Sequence, residues 1–388
     1  MLSMPTHIFH RSTLANTFAQ RILSERCSSG IFISAPRRTG KSTFIREDLM
    51  PALRGQGVEV IYVDLWADRA AEPGDMISSA IRAHLTENEP RLLKWAKQSG
   101  LNKVSVAGLQ IDLAKVGVGS GETLSSGLSL LSDAANVMIV LVIDEAQHAL
   151  TTTKGADALF ALKAARDELN SSRHYGFRLI ATGSNSEKLA MLVNGKDQAF
   201  YGAPLIDLPF LDDDFLEWDR QRFGNIVPTI EAMKEAFLLC GHRPEYIDQS
   251  LDALSFKLDL SQDNIDERLL SEIEHKLQKD KQDFMRLVNS LPPVQSAVLK
   301  VMAEEGEQFS PFKAPTLERY RQYCSGFAVN DVRIDNSSVQ YALDALRDKG
   351  LAWKSSRGVY AVEEDQHSEW LAGREDCNQT GSLTLTFL

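Results

Sequence analysis

Ala35-Pro36-Arg37-Arg38-Thr39-Gly40-Lys41-Ser42 has the spacing of a phosphate-gripping loop, with Ala35 where the first glycine of that pattern stands. An apolar run, 30–35, precedes it, and a helical pattern, 42–49, follows it with Pro51 just past its end. A strand, a tight turn and a helix in that order suit an anion, because the helix N-terminus offers unpaired amides and the positive end of its dipole. In such a loop Pro36, Arg37, Arg38, Thr39, Gly40, Lys41, Ser42 and Thr43 line the phosphates. Lys41 reaches the outer two, and the Ser42 hydroxyl ligates Mg²⁺. The plainer alternative is a Gly-Lys turn that only starts a structural helix.

On either side, strand-like runs alternate with helical patterns. Val58 to Asp64 is a strand, residues 76–85 a helix, and Val137 to Ile143 an apolar, β-branched strand without polar alternation. A strand of that kind is buried on both faces, as in a parallel sheet. Residues 155–170 read as helix, and 177–181 and 204–208 as strands. Strands alternating with helices predict a doubly wound α/β domain. Lys103 to Val118, with Gly108 inside it, predicts an inserted β-hairpin, and 117–127, rich in Gly and Ser, a mobile loop.

Val140-Leu141-Val142-Ile143-Asp144-Glu145 ends a buried strand in two carboxylates. Both then stand at the C-terminal edge of the sheet, where ligands of α/β folds bind. Asp144 would help place Mg²⁺, and Glu145 would position and polarise an attacking water. An acidic strand end is common by itself; it gains meaning beside the Lys41 loop. Phe177-Arg178-Leu179-Ile180-Ala181-Thr182-Gly183-Ser184-Asn185 is a strand ending in small polar residues. Ser184 and Asn185 are candidates to sense a terminal phosphate. Capping the next helix is the competing reading for both.

The order of these elements resembles an AAA+ ATPase, and within that class the archaeal-type ATPase group related to the STAND ATPases. The resemblance covers roughly residues 5–290. It rests on Phe9-His10-Arg11, the Lys41 loop (Walker A), the hairpin, Asp144-Glu145-Ala146-Gln147 (Walker B) and Gly183-Ser184. Phe200-Tyr201-Gly202 leading into Leu208-Pro209-Phe210, and Gly241-His242-Arg243-Pro244, complete it. It implies ATP binding with Mg²⁺, slow hydrolysis with Glu145 and Lys41 as the catalytic pair, and nucleotide-driven rearrangement. Phe9 and Arg11 would lie on the adenine side and Arg243 would reach phosphate from the lid. Ordinary packing for Phe9, and a helix-start ion pair for Arg243, are the competing readings. After Tyr201-Gly202 relatives often carry an arginine that serves a neighbouring subunit; here Ala203 stands there. A finger of that sort is worth orders of magnitude in rate, so efficient hydrolysis in a ring, and assembly as a homo-oligomer, stay open.

Residues 212–291 are helical and charged, with no strand pattern. After Pro292-Pro293 three helices, 294–304, 316–326 and 337–349, precede two short strands, 351–354 and 358–362. Asn336 or Ser337 is the expected cap of the third helix and Gly350 its stop. Three helices and a hairpin describe a winged helix. Ser338, Gln340, Tyr341 and Arg347 on the third helix, with Lys354 and Arg357 on the wing, are candidate DNA contacts. A winged helix also docks proteins, such as a separately encoded effector, and acids roughly balance bases here.

The expected fold is therefore α/β: a P-loop parallel sheet of AAA+ type (1–211), a helical lid (212–291), a winged helix (292–366) and a tail (367–388). Composition agrees, with 43% apolar and 24% charged residues. A net charge of −11 disfavours nucleic-acid binding by the whole surface. No apolar run approaches the roughly 20 residues of a membrane span. Residues 1–11 lack a targeting pattern, and the four cysteines form no Cys-x-x-Cys pair. A cytoplasmic protein with free thiols is expected.

Overall fold

Ile139-Val140-Leu141-Val142-Ile143-Asp144 is buried at every position, which only the middle of a covered parallel sheet allows. The computed structural model describes residues 8–98, 105–106, 109–110, 116, 123–171, 174–325, 333–355 and 358–373. It divides into two units, Met1–Leu270 and Ser271–Leu388, with the boundary inside the Ile265–Ser290 helix.

The first unit contains β1 (Ile31–Ser34), β2 (Glu59–Asp64), β3 (Ser105–Val106), β4 (Leu109–Gln110), β5 (Ile139–Asp144), β6 (Phe177–Gly183) and β7 (Leu205–Asp207). Five of them form one sheet in the order β2-β5-β6-β1-β7, parallel throughout. The register pairs Asp64 with Asp144 and Ser34 with Gly183, so all these strand ends reach the same edge. One face is closed by Ile22, Phe44, Leu49 and Leu53 against Ile33, Val142 and Ile180. Each such side chain contributes about 1.5–3 kcal/mol through burial.

Several local expectations needed correction. The helix after the phosphate loop does not stop at Pro51. It runs from Lys41–Thr43 through a π turn, Phe44–Leu49, into Met50–Gly55. In a regular α-helix the Pro51 ring would press on the carbonyl four residues back. The wider turn lets the Met50 amide bond Ile45 O, five residues back, just before the proline. The insert contains an antiparallel pair, Ser105 with Gln110 and Val106 with Leu109; the rest of 103–118, save Val116, lies outside the described residues. The expected mobile loop ends early, because Thr123 caps a helix, Leu124–Ala135, by accepting the Ser126 amide. Gly127 sits within that helix against Val116 and Leu85. Residues 117–122 lie outside the described residues.

Gly155 opens the Thr153–Leu169 helix so close to the preceding turn that a Cβ there would stand 2.3 Å from Ala149 O. That is a backbone atom, and it cannot swing aside. Gly155→Ala is expected to cost about 1–3 kcal/mol in a denaturant titration; an unchanged midpoint would mean that the turn relaxes freely. Beyond the sheet come the Asp213–Arg220, Ile230–Leu239 and Pro244–Ser255 helices. Among the described residues no helix is long and apolar enough to cross a membrane.

The second unit packs the Pro293–Glu305, Ala314–Ser325 and Asn336–Asp348 helices around Val298, Met302, Tyr320, Val339, Leu343 and Leu346. β8 (Ala352–Lys354) and β9 (Tyr360–Val362) pair antiparallel after them, completing a winged helix. The third helix is capped one residue earlier than expected. Asp335, extended at φ −136°, accepts the Ser338 amide while Ser338 Oγ accepts the Asp335 amide. A further helix, Asp365–Ala372, sets Trp370 and Leu371 against the same core. Residues 374–388 lie outside the described residues. Cys27, Cys240 and Cys324 are free and buried.

Candidate functional site

The sheet order decides what can meet. The Lys41 loop leaves β1, and Asp144 ends β5; β6 lies between them. Neighbouring strands are about 4.8 Å apart, so the two ends are separated by about twice that. A lysine side chain spans such a gap, and a residue at the end of β6 falls underneath it.

That residue is Thr182. Lys41 Nζ donates to Asp144 Oδ1 and, at 3.2 Å, to Thr182 Oγ1, while the Thr182 hydroxyl donates to Asp144 Oδ1. Ser42 Oγ donates to Asp144 Oδ2 at 2.8 Å, and the Tyr62 hydroxyl, from β2, reaches the same oxygen at 3.2 Å. Lys41 is buried, with 5% of its surface exposed, and Asp144 is buried deeper still at 1%. The two hard oxygens, Ser42 Oγ and Asp144 Oδ2, suit Mg²⁺, which takes one or two carboxylates and fills its shell with phosphate and water. Among the described residues no group of three or more His, Cys, Asp or Glu is arranged to hold a metal ion by itself.

Glu145 follows in the left-handed region, φ +54°, which costs a non-glycine residue about 1–3 kcal/mol. The bend turns its carboxylate back into the site. Oε1 stands 3.0 Å from Lys41 Nζ. Oε2 accepts from Gln147 Nε2 at 2.6 Å, Ser184 Oγ at 2.7 Å and the Ser184 amide at 3.3 Å. Burial alone would raise both carboxyl groups. The Lys41 charge and the donors from Lys41, Thr182 and Ser42 outweigh it at Asp144, as Lys41 and Ser184 do at Glu145, so both are held below the usual carboxylate range. Burial alone would also lower Lys41, but Glu145 and Asp144 keep its ammonium above the usual lysine range.

The loop has the backbone shape an anion needs. Gly40 is left-handed, φ +88° and ψ +7°, and Lys41 opens the helix after it. That alternation turns successive amides to one side, and the first amides of a helix have no carbonyl behind them. Arg38 is also left-handed at φ +66° and pairs with Glu245 at 2.9 Å. Thr39 Oγ1 donates to Pro36 O at 2.7 Å and closes the loop on itself. Pro36 and Thr43 are exposed.

The other expected site residues have partners or exposure of their own. Phe9 packs edge-on against Phe215 and tilts against Trp218, with ring centroids 5.6 and 5.5 Å away. Arg11 donates to Pro209 O at 2.8 Å and Phe210 O at 3.0 Å. Asn185 caps the helix after β6 by accepting the Lys188 amide at 2.7 Å. Ser184 serves Glu145. Arg243 donates to Cys240 O at 2.7 Å and lies over the Tyr246 ring. In the second unit Ser338 is used by the cap, and Gln340 donates to Asp344 Oδ2 at 3.0 Å. Arg347 pairs with Asp348 at 3.1 Å and Asp344 at 3.6 Å, and the Lys354 ammonium lies 5.1 Å from the centre of the Tyr360 ring. Tyr341 is 74% exposed. Arg357 lies outside the described residues.

Thr182, Gln147 and Tyr62 were missed. The strand-end position of Thr182 and the closeness of Gln147 to Glu145 in sequence were the available signals. Only the strand order says that they converge.

No family model matches the sequence, and no curated protein matches it. Among solved structures it is similar to the ORC2 protein of Aeropyrum pernix in its ADP form, at 16% identity over 96% of this chain and 95% of that one, with a TM-score of 0.49. It is similar to Aeropyrum pernix ORC1 in complex with DNA, at 15% identity over 95% and 93% of the two chains, TM-score 0.45. A third likeness is to AMPPCP-bound DnaA from Aquifex aeolicus, at 14% identity over 88% and 90%, TM-score 0.39.

Proposed function

We propose that this chain is an AAA+ P-loop ATPase: it binds ATP with Mg²⁺, hydrolyses it slowly without a partner, and acts as a nucleotide-dependent switch or motor whose winged helix contacts DNA. The observation that carries the reading is the meeting of Lys41, Ser42, Thr182, Asp144 and Glu145 at the edge of a parallel sheet, beside a loop whose backbone turns amides to one side.

The Lys41 ammonium exchanges its carboxylate partners for the β and γ phosphates, and the loop amides hold the rest of the chain of phosphates. Ser42 and Asp144 would hold a Mg²⁺ ion, which would supply neutralisation of phosphate charge. Glu145 orients a water and takes its proton as the water oxygen bonds to the γ phosphorus, while the bond from that phosphorus to the β–γ bridging oxygen breaks and ADP leaves. Ala203 is buried and supplies no cation to a neighbour. Slow turnover by the isolated chain follows.

DNA contact is tested by a salt titration with and without ATP. The apparent affinity should fall with rising salt, with a log–log slope of about −0.9 for each phosphate contacted. Binding undetectable at low salt would remove DNA from the reading. A second reading, docking of a protein effector, is favoured by one observation. The exposed face of the third helix is largely spent: Arg347 is neutralised by Asp344 and Asp348, and Ser338 by its cap. An open groove of about 650 Å³ there is lined by Phe312 and Tyr341 together with Asn336, Ser337, Gln340 and Asp344. That surface is aromatic and acidic rather than basic.

A further inference from the structure

Arg37 belongs to the phosphate loop, yet its side chain turns along the sheet edge. Its Nε donates to Ser184 Oγ at 3.3 Å. Its guanidinium lies over Trp66, 4.7 Å from the ring centroid. Trp66 follows β2, and its amide is fixed by Asp64 Oδ1 at 2.8 Å. The same ring carries the Arg69 guanidinium at 4.3 Å and the His148 imidazole at 4.4 Å. Two cations beside one ring tolerate a third group only if it is neutral. Burial keeps His148 so by pushing it down to about 3; the Glu145 charge opposes this, and those of Lys188, Arg37 and Arg69 reinforce it.

The consequence falls on a single proton. A serine hydroxyl has one donor and two acceptor directions. At Ser184 the Arg37 N–H takes an acceptor direction. The proton is left for Glu145 Oε2, 2.7 Å away. Without that N–H the hydroxyl loses the partner that fixes its rotation, and Glu145 loses a donor of fixed direction.

We propose that Arg37 is a positioning residue for ATP hydrolysis: seated on Trp66, it fixes the Ser184 hydroxyl so that its proton points at Glu145 and the carboxylate keeps the orientation needed to receive a proton from water. This rests on the ATPase reading above. Arg37 acts through Ser184, and no bond of the reaction is made to it.

The test is steady-state kinetics of the full chain, Arg37→Ala and Arg37→Gln, together with unfolding midpoints. Arg37→Ala should lower kcat about 10- to 100-fold, the usual cost of losing a group that orients a reacting one, with KM changed less than about twofold. Arg37→Gln, an uncharged donor, should restore most of the rate. A merely structural role would lower the rate in step with the unfolding midpoint, whereas a positioning role lowers it at an unchanged midpoint. Unchanged kcat in Arg37→Ala overturns the inference. So does Arg37→Gln as slow as Arg37→Ala with a raised KM, which would make the charge on the phosphate the important property. A parent chain that turns over no ATP overturns the ATPase reading and this inference together; a working parent with an indifferent Arg37→Ala overturns the inference alone.

Discussion

Lys41→Ala is expected to bind ATP and ADP at least about 100-fold more weakly than the parent chain, a loss of about 2.7 kcal/mol. A hydrogen bond to a charged group is worth about 1.5–3 kcal/mol, and on the proposed reading the buried Lys41 ammonium would bond two phosphates. The change has a second effect, on stability. Asp144 and Glu145 are left buried with no cation between them, which costs about 3–5 kcal/mol near neutral pH.

The sign of the pH dependence follows from the directions of the shifts. In the parent, Asp144 and Glu145 titrate below their unfolded values, so their contribution is present above the unfolded carboxylate pKa and lost as pH falls through the folded one. Lys41 titrates above its unfolded value; its contribution is present below that value and lost as pH rises through the folded pKa. The triad therefore stabilises the parent between about pH 4.5 and 10. In Lys41→Ala only the Thr182, Ser42 and Ser184 hydroxyls still oppose burial, so both carboxyl groups titrate higher than in the parent and the variant loses ground to it as pH rises. The gap between parent and variant should widen from pH 4.5 to 7.5 in thermal or denaturant unfolding. Lys41→Arg keeps a cation but not the compact ammonium, and should keep much of the stability while losing affinity. Unchanged nucleotide affinity in Lys41→Ala would contradict the loop assignment, and a gap independent of pH would contradict the buried triad.

Glu145→Gln is expected to keep ATP and stop turning it over. Loss of a general base costs about 10²–10⁴ in rate. The amide retains an oxygen for Ser184 and Gln147, so the site keeps its outline, but it cannot accept a proton. Single-turnover measurements with saturating ATP separate the two properties: binding should persist within a few-fold while the chemical step collapses. Normal turnover would mean that another residue positions the water.

The sheet was legible because its strands are apolar and β-branched, and because β5 ends in Asp144-Glu145. The P-loop spacing and the acidic strand end named four residues that meet. The strand order was not legible, and Thr182 depends on it, because no local pattern says which strand lies between two others. The fate of Arg37 was hidden for a similar reason: its partners, Ser184 and Trp66, come from the ends of two other strands. Asn336, Ser337 and Asp335 all suit a helix cap; the extended backbone at Asp335 chose among them. Phe9 and Arg11 were assigned by resemblance, and the structure uses both to pack the N-terminal segment onto residues 209–218.

The widened turn at Phe44–Leu49 makes the helix behind the phosphate loop a screw with an offset thread. One extra residue advances everything beyond it by about 100° of rotation. Phe44 and Ile45 enter the core in one phase, Met50 and Leu53 in another, and a uniform thread would not drive both pairs into the same wall. Deleting a single residue from 44–49 would return the stretch to an even thread and leave Leu53 facing the core, because the wide turn already absorbs one residue more than a regular one. Inserting one would rotate Leu53 away and bring Ala52 into its place. A one-residue deletion would be forgiven there more readily than a one-residue insertion.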